Sequence, residues 1–497
     1  MKTATRISTF LAASSMLVLG AVGTVSAEPK GTLNYATMIQ LNNWNPLIKT
    51  GQTYTAIPYE GLLQVADDGF TLEPRLATEW ELTPTELKLK LREGVIFHDG
   101  EPFNAEAVKA NLDWIRGSGT QWATGLNVIS EIVIDGPYEI TLKLSSPTPT
   151  MADRLATRGY YMVSPKHIAT ENWDIPVGTG PWTYDAEASQ FQTKEVFKLF
   201  DGYWNLDAVG VDSIVMHVMQ EPGVALNSLK AGMVQVAEMI TSQVKAAEAE
   251  GFGIKATPTL VQHFLMLDRK TTFADENVRK ALCHAIDVEA IGQGAFDGFA
   301  EPVSQRFLEG QYGYNPAVKG YTYDVEAAKK YLAAAGNPEI SLTLPMYPQT
   351  QTAMTLIAQM LREAGFSPET QMMTTGQYFS YYQSDRYPLQ INTSATESIG
   401  PLDYYQFRFG PSGVGNPFKV EVPELDAIVE RALAEPDRAK QEVIWQEMIQ
   451  YIEDHALDCN FYLWKTVWAY DESKVEGVES TVMRPSALRY DEMRLKN

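Results

Sequence analysis

The sequence is poor in the residues from which proteins build metal centres and redox clusters. Its 497 residues include only two Cys and six His. Two Cys cannot supply a multi-Cys zinc module or an iron–sulfur cluster. No His pair has the His-Glu-x-x-His spacing that puts two metal ligands on one helix face. We therefore expect no cofactor and no metal bound directly by the protein.

Positive charge is also scarce. Forty Lys and Arg stand against 62 Asp and Glu, which gives a formal net charge of −22 at pH 7. A nucleic-acid partner requires a basic footprint, so this balance argues against one. The total says little about the charge of a small ligand, because a few buried residues decide that. With 45% hydrophobic residues, the composition is that of a globular protein.

Motifs for catalysis are missing as well. The sequence has no Gly-x-Ser-x-Gly nucleophile elbow and no Gly-x-x-x-x-Gly-Lys-Ser/Thr phosphate loop. Gly178-Thr-Gly180 is rich in glycine but lacks the Lys, and we interpret it as a tight chain crossing. We therefore predict that the protein is not an enzyme. A secreted hydrolase remains the alternative from another class, disfavoured by the absence of a nucleophile–base or metal constellation.

The longest apolar stretch lies at the N terminus, and no other apolar stretch of transmembrane length follows. Lys2 and Arg6 precede an apolar stretch over residues 11–22, and small residues follow up to Ala27. This pattern predicts a signal peptide cleaved after Ala27, and the stretch is too short for a spanning helix. No Cys lies directly after the cleavage site, so we expect an exported protein that is not a lipoprotein. Export permits a Cys283–Cys459 disulfide, but we favour two buried free thiols because the two Cys are far apart in sequence.

Strand and helix signals alternate along the chain. Residues 86–92 and 139–144 alternate between apolar and polar side chains, as half-buried strands do. Asn104 can cap a helix over residues 105–116 between them. These signals predict a small sheet with a crossover helix within residues 58–177. Asp275 and Asp324 can cap later helices, and the overall pattern indicates an α/β fold in which helices cover sheets.

Aromatic residues are plentiful, with 24 Tyr, 19 Phe and 10 Trp. They cluster at residues 159–162, 378–382 and 402–405. Ring faces supply contact area in small-molecule pockets, and Tyr hydroxyls fix the orientation of the ligand. The sequence therefore suggests a binding protein, with Tyr160 and Tyr382 among the candidate ligand residues.

Several motifs resemble those of the dipeptide, oligopeptide and nickel solute-binding proteins of ABC importers, bacterial extracellular solute-binding protein family 5. The resemblance extends along almost the whole chain after the signal peptide. The motifs that carry it are Leu76-Ala-Thr-Glu-Trp80, the run from Leu87 to Glu106, Pro176-Val-Gly-Thr-Gly-Pro181, Asp201-Gly-Tyr-Trp204, Leu229-Lys-Ala-Gly232 and the helix from Asn277 to Asp287.

The resemblance implies a bilobed periplasmic-binding-protein fold of class II type with an extra third domain. Domain I would comprise residues 28–57, 178–262 and 470–497, domain II residues 58–177, and domain III residues 263–469. The ligand cleft would lie between the lobes and close by a hinge motion. The protein would be a periplasmic monomer that delivers a peptide or peptide-like solute to permease subunits in the inner membrane.

Ligand residues are also implied by the resemblance, though the match is incomplete. In dipeptide-binding members an Asp grips the ligand ammonium; that position falls on Ser398, with Glu397 beside it, and a frequent Trp falls on Ala395 or Thr396. The Arg that holds the ligand carboxylate has no counterpart in residues 345–360. These differences argue against a free dipeptide held in the way usual for the family.

The nickel-chelate branch of the family matches other positions. Its Trp resembles Trp122 and its Arg resembles Arg158, and Arg158 and Arg408 could each hold a carboxylate as a planar fork. The alternative for each Arg is a surface or interdomain ion pair. Solutes of the same transport class, namely a metal chelate, an opine-like conjugate or an oligosaccharide, stay open. The full set of predicted ligand residues is Gln40, Trp122, Arg158, Tyr160, Tyr382, Thr396, Glu397, Ser398 and Arg408.

Overall fold

The fold is taken from a computed structural model. It describes residues 31–39, 41–47, 53–66, 71–262, 264–348, 350–381, 384–391, 400–411, 413, 415–480 and 488–496. The predicted signal peptide lies outside these ranges, and the side chain of Arg158 is not described. Five other predicted ligand residues also lie outside the described residues, namely Gln40, Tyr382, Thr396, Glu397 and Ser398.

Strands occur along the whole described chain. In chain order they are β1 (Thr32–Thr37), β2 (Leu63–Val65), β3 (Leu72–Pro74), β4 (Ala77–Leu82), β5 (Glu86–Leu91), β6 (Ile129–Gly136), β7 (Glu139–Leu144), β8 (Trp182–Tyr184), β9 (Lys194–Leu199), β10 (Ser213–Val218), β11 (Val236–Met239), β12 (Gly253–Gln262), β13 (Phe264–Met266), β14 (Ala300–Pro302), β15 (Ser341–Met346), β16 (Ser367–Met372), β17 (Leu389–Ile391), β18 (Tyr462–Tyr470), β19 (Val475–Glu476) and β20 (Arg494–Leu495).

Helices alternate with these strands. They are α1 (Ala105–Gly117), α2 (Gln121–Leu126), α3 (Met151–Arg154), α4 (Pro165–Ile168), α5 (Pro222–Lys230), α6 (Thr241–Ala249), α7 (Glu276–Ala285), α8 (Val288–Phe296), α9 (Val325–Ala334), α10 (Gln351–Ala364), α11 (Thr375–Tyr381), α12 (Pro401–Arg408), α13 (Pro423–Ala434) and α14 (Arg438–Asp454). Short 3-10 turns occur at Thr53–Ala56, Arg158–Tyr160 and Leu206–Ala208. Among the described residues, no helix combines the length and apolarity needed to cross a membrane.

The largest sheet has the strand order β12-β18-β11-β1-β10-β9-β8, with β14 paired to β18. Strand β1 is parallel to both of its neighbours, and the remaining pairs are antiparallel. Strand β14 and all of β18 except Tyr470 lie in the range predicted for domain III. Strand β12 lies in the range predicted for domain I, and it pairs with β18 along the whole length of that strand. The large sheet therefore draws strands from both sides of the predicted boundary, and the division into domains remains a prediction.

A second sheet is built from β4, β5, β7 and β6 in that order, all antiparallel. Strand β5 buries the three Leu of its alternating pattern, Leu87, Leu89 and Leu91, on one face. Helix α1 begins at the predicted cap, where the side chain of Asn104 accepts a hydrogen bond from Ala107 N at 3.0 Å. The predicted small sheet with its crossover helix is confirmed.

The predicted tight crossing at Gly178-Thr-Gly180 is also confirmed. Gly180 N donates to Pro58 O at 3.0 Å, and a Cβ on Gly178 would lie 2.1 Å from the same oxygen. Only glycine permits this close approach of two backbones. His98 fastens the crossing, since Gly178 N donates to its Nδ1 at 3.4 Å and its Nε2 pairs with Gly180 O at 2.9 Å.

The two Cys form a disulfide, so our preference for two buried free thiols was wrong. Cys283 lies in α7 and Cys459 just before β18, 176 residues further along the chain. Both residues belong to the same hydrophobic core, to which α7, α8, α9 and α10 contribute. Sequence distance misled the prediction, because packing of α7 against the segment before β18 brings the two side chains together.

Candidate functional site

Two of the predicted ligand residues meet in an aromatic wall, which we define as Trp122 and Tyr160. Their rings make an edge-to-face contact with centroids 5.8 Å apart, and the Tyr160 hydroxyl donates to Trp122 O at 3.0 Å. Both residues are buried. The structure therefore brings two of the predicted ligand residues together, while their contact with a ligand stays a prediction.

Two glycines make room for the aromatic wall. A Cβ on Gly159 would lie 2.0 Å from a ring carbon of Trp122, and a Cβ on Gly125 would lie 2.2 Å from the Tyr160 hydroxyl oxygen. Distances this short require a shift of the ring or the backbone. The positions of both rings therefore depend on glycine at residues 125 and 159.

Arg154 lies beside the aromatic wall and extends away from it. Its Nη1 donates to Gly125 O at 2.7 Å, and its Nη2 pairs with Asp403 Oδ1 at 2.7 Å. The Arg154 side chain is 4% exposed and that of Asp403 is 22% exposed. Sequence reasoning missed both residues. No local signal could have joined them, since 249 positions separate them.

Arg154 and Asp403 belong to a longer line of contacts that we call the seam: Pro149, Thr150 and Arg154 on one side, and Gly400, Asp403 and Arg438 on the other. Arg438 Nη1 donates to Pro149 O at 2.7 Å. A Cβ on Gly400 would lie 2.8 Å from Thr150 Cγ2, so the two sides are in close contact.

Each side of the seam is anchored in its own hydrophobic core. Met151 and Ala152 of α3 pack with the core of the four-stranded sheet. Tyr404 of α12 packs with a separate core formed largely by α13 and α14. The seam is therefore a contact between two independently packed parts of the molecule, and the aromatic wall stands next to it.

The carboxylates at the seam are withdrawn from water. Burial raises the pKa of Asp403, and the positive charge of Arg154 opposes that rise. Burial likewise raises the pKa of Asp153, opposed mainly by Arg438. Each buried carboxylate thus faces an Arg, which compensates part of the cost of removing its charge from water.

Arg408, predicted to hold a ligand carboxylate, is buried in an ion pair instead. Its Nε donates to Asp458 Oδ2 at 3.1 Å, its Nη1 to Gly415 O at 2.7 Å and its Nη2 to Met266 O at 2.7 Å. Both charged side chains are 0% exposed. These contacts support the ion-pair alternative for Arg408, although the pair is internal rather than at the surface.

A cleft elsewhere is lined by charged side chains that are already paired with one another. Glu60 accepts hydrogen bonds from Arg75 Nε at 2.6 Å and from the Tyr203 hydroxyl at 3.1 Å, and Arg75 Nη1 pairs with Asp491 at 3.2 Å. The guanidinium of Arg92 stacks on Trp204 nearby. Because these groups satisfy one another, we interpret the cleft as a structural junction.

Within the described ranges, no group of three or more His, Cys, Asp and Glu side chains is placed so that it could hold a metal ion. The buried charged groups that the structure brings together at the seam and at Arg408 are Arg–carboxylate pairs. Their chemistry is recognition of charge, through planar donors and carboxylate acceptors.

Comparison with known proteins defines the class to which this architecture belongs. The family model described as bacterial extracellular solute-binding proteins, family 5 middle, matches residues 71–416. The chain belongs to this family, as the sequence motifs indicated. The protein is therefore a solute-binding protein, the class that provides the substrate-binding components of ABC importers.

Two curated relatives each match most of the chain. A protein of Brucella ovis named for ABC transporter peptide binding is 24% identical over 456 residues, covering 86% of this chain and 84% of that protein. The glutathione-binding protein GsiB of Escherichia coli is 27% identical over 421 residues, covering 78% and 81%. Family and fold are those of transport binding proteins rather than enzymes.

Solved structures show the same fold. DppA from Helicobacter pylori, in complex with the peptide STSA, superposes with a TM-score of 0.81 at 19% identity, covering 95% of this chain and 99% of that one. AgaA from A. tumefaciens R10, in complex with agropinic acid, gives 0.81 at 21% identity, covering 94% and 99%. The predicted α/β, bilobed periplasmic-binding-protein fold is confirmed.

Proposed function

We propose that the protein captures a peptide or peptide-like organic solute between its two lobes and delivers it to the permease of an ABC importer. The observation that carries this proposal is the seam. Arg154 stands beside the aromatic wall and reaches Asp403 in a separately packed part of the chain. A solute lying against the wall would therefore be next to the surface where the two parts meet.

The proposed architecture places this surface between lobes. Domain I is residues 28–57, 178–262 and 470–497, domain II residues 58–177, and domain III residues 263–469. On this division the seam joins domain II to domain III, so closure would bring the aromatic wall and α12 together. Hinge closure of this kind encloses ligands in periplasmic binding proteins.

A peptide-like solute is favoured by the relatives. One is named for peptide binding and another for glutathione, itself a tripeptide. Aromatic side chains such as Trp122 and Tyr160 provide contact area for such solutes without selecting one particular peptide side chain. Arg158, Gln40, Tyr382, Thr396, Glu397 and Ser398 remain proposed ligand residues.

We propose cleavage of the signal peptide after Ala27, a periplasmic monomer without a lipid anchor, no cofactor, no nucleic-acid partner and no catalytic activity. Turnover of peptides or glycosides by the pure protein would contradict the receptor assignment and favour the hydrolase alternative.

The solute can be identified by native mass spectrometry of protein purified without refolding. We expect a co-purified species whose mass and fragments are those of a peptide or peptide conjugate. A co-purified metal chelate or oligosaccharide would overturn the peptide proposal while leaving the transport class intact.

The role of the aromatic wall can be tested with a matched pair of glycine substitutions. Gly159→Ala should displace the Trp122 ring, because the added Cβ would lie 2.0 Å from it. We expect affinity for glutathione or the peptide STSA, whichever the wild type binds in calorimetry, to fall by about tenfold or more, the effect of losing one well-packed aromatic contact. Gly117→Ala, where a Cβ meets nothing within 4 Å, should leave affinity unchanged. Equal effects of the two substitutions would remove the wall from the site.

A further inference from the structure

The Arg154–Asp403 pair has an unusual arrangement for an ion pair, because each partner is held in place by its own side of the seam. Arg154 ends α3, and its Nη1 is fixed by Gly125 O. Asp403 lies in the first turn of α12, where a carboxylate is favoured by the helix dipole. Both charged groups are therefore oriented before they meet, which lowers the entropy lost when the pair forms.

The pair is also sheltered from water. With 4% of the Arg154 side chain and 22% of the Asp403 side chain exposed, the charges are compensated by each other more than by solvent. Removing one partner of a buried pair leaves the other charge uncompensated, which is strongly unfavourable. If the lobes separate, both charges return to water and that penalty disappears. Loss of either partner should therefore shift the equilibrium towards the open arrangement.

A second contact reinforces the same line. Arg438 Nη1 donates to Pro149 O, and its guanidinium lies over the Tyr312 ring at 4.4 Å. Asp153 in α3 faces Arg438 electrostatically. Each side of the seam thus contributes one Arg. Arg154 donates to Asp403 across the seam, and Arg438 donates to Pro149 O in the opposite direction.

Within the described part of the chain, the pairing at the seam leaves two buried polar atoms over. Arg154 Nε and Asp403 Oδ2 are buried, and neither has a hydrogen-bond partner among the described residues. Buried polar atoms without partners cost free energy in the closed arrangement. The contact therefore favours closure without fixing it permanently, as a receptor that must release its solute requires.

We infer that Arg154 and Asp403 are positioning residues that act as a reversible latch, favouring the closed arrangement of the lobes even before solute binds. This inference rests on the proposed capture by lobe closure. Arg154 and Asp403 lie outside the predicted ligand set, and on this inference they control the open–closed equilibrium. The affinity for the solute and its release rate would then depend on residues that contact the opposite lobe and not the solute.

The latch can be tested on the full mature protein without any solute. Both native Cys are in the disulfide, so spin labels can be attached to engineered cysteines alone. Exposed positions on either side are Glu106 in α1 and Lys330 in α9. Double electron–electron resonance between Glu106→Cys and Lys330→Cys would report the distribution of distances between the lobes.

We expect Asp403→Asn to move the ligand-free distribution towards longer distances, with the closed-to-open ratio falling by about tenfold, the scale of one charge-assisted hydrogen bond. Arg154→Met should do the same, and the double substitution should add little to either single one because both remove the same contact. Arg154→Lys should restore part of the closed population. Asp113→Asn, which breaks the exposed Lys109–Asp113 pair within α1, is the control and should leave the distribution unchanged.

An unchanged distribution for Asp403→Asn, or fully additive single effects, would overturn the latch. The thermal midpoint of each variant verifies folding, and Arg154→Lys provides a second variant should Arg154→Met fail to fold. Adding glutathione or STSA separates the two proposals. If the probe shortens the distances while Asp403→Asn has no effect, capture by closure stands and the latch fails; if Asp403→Asn acts and no peptide does, the latch stands and the peptide proposal fails.

Discussion

Two Arg–Asp pairs in this protein have the same chemistry and different surroundings. Arg408 and Asp458 are 0% exposed and lie within one packed region, where Arg408 also bonds to Met266 O and Gly415 O. Arg154 and Asp403 join two regions with separate cores. The first pair can break only if its region unfolds, whereas the second can break when the regions move apart.

The energetic role of an ion pair depends on which structural change exposes its charges to water. For Arg408 that event is unfolding, so the pair contributes to the stability of the fold. For Arg154 the event is separation of two folded parts, so the pair contributes to the choice between conformations. Exposure alone would not distinguish them, because both Arg side chains are almost completely buried.

Breaking the internal pair should have the largest effect on stability. Arg408→Met leaves Asp458 as a buried charge, and we expect the free energy of unfolding to fall by about 3–5 kcal/mol. Denaturant unfolding followed by circular dichroism would measure it. Lys329→Met, which removes the exposed Lys329–Glu326 pair, should cost less than about 1 kcal/mol. Similar losses for the two substitutions would contradict the interpretation of Arg408 as part of a buried network.

His98 makes a buried contact in its neutral form, unlike the two ionic pairs. Burial lowers the pKa of His98 to about 4, outweighing the contact with Gly180 O and the charge of Asp99, which raise it. An unfolded His titrates near pH 6.5, so the unfolded state takes up the proton first. The stability that neutral His98 contributes is therefore fully present above pH 6.5 and is lost as the pH falls from there towards 4.

The loss should amount to about 3 kcal/mol, from 1.36 kcal/mol per pKa unit. Unfolding of the wild type and of His98→Gln at a series of pH values would measure it as the difference between the two proteins, which cancels the carboxylates that titrate in both. We expect the wild type to lose more stability than the variant between pH 6.5 and 4.5. Parallel pH profiles would show that His98 is not held neutral in the folded state.

The pair at the seam should have the smallest effect on unfolding. Asp403→Asn leaves each core intact, and we expect the free energy of unfolding to fall by no more than about 1.4 kcal/mol, the equivalent of the tenfold shift in the closed-to-open ratio. The same denaturant experiment checks it beside Arg408→Met. A loss as large as that of Arg408→Met would mean that the seam is part of the folded core and does not open separately.

Local structure was largely predictable from the sequence because its causes are local. The cap at Asn104 lies where the sequence placed it, and the alternation of residues 86–92 produces β5. Gly365 has a φ of +105°, which explains why α10 ends there. Turns, caps and buried faces depend on residues that are near one another in the chain, so pattern alone identifies them.

The candidate site was predictable only in part. Family resemblance indicated Trp122 and the aromatic pattern indicated Tyr160, and the structure brings these two side chains together. Neither signal indicated Arg154, which has no motif of its own and acquires a role only through Asp403. The chemistry of the guanidinium group suggested Arg408 as a ligand residue, since the sequence of α12 does not reveal that its last residue pairs with Asp458. Contacts between distant segments depend on packing that no local pattern encodes.

The disulfide determines what a proteolytic cut does to this chain. Cys283 and Cys459 are 176 positions apart in sequence. The disulfide closes the polypeptide between them into a covalent ring, and the N-terminal and C-terminal segments extend from its two Cys. A single proteolytic cut inside that ring opens it without releasing a fragment. The nicked molecule keeps the mass of the intact protein plus one water until a reductant reaches the buried sulfurs, and only then do two pieces separate.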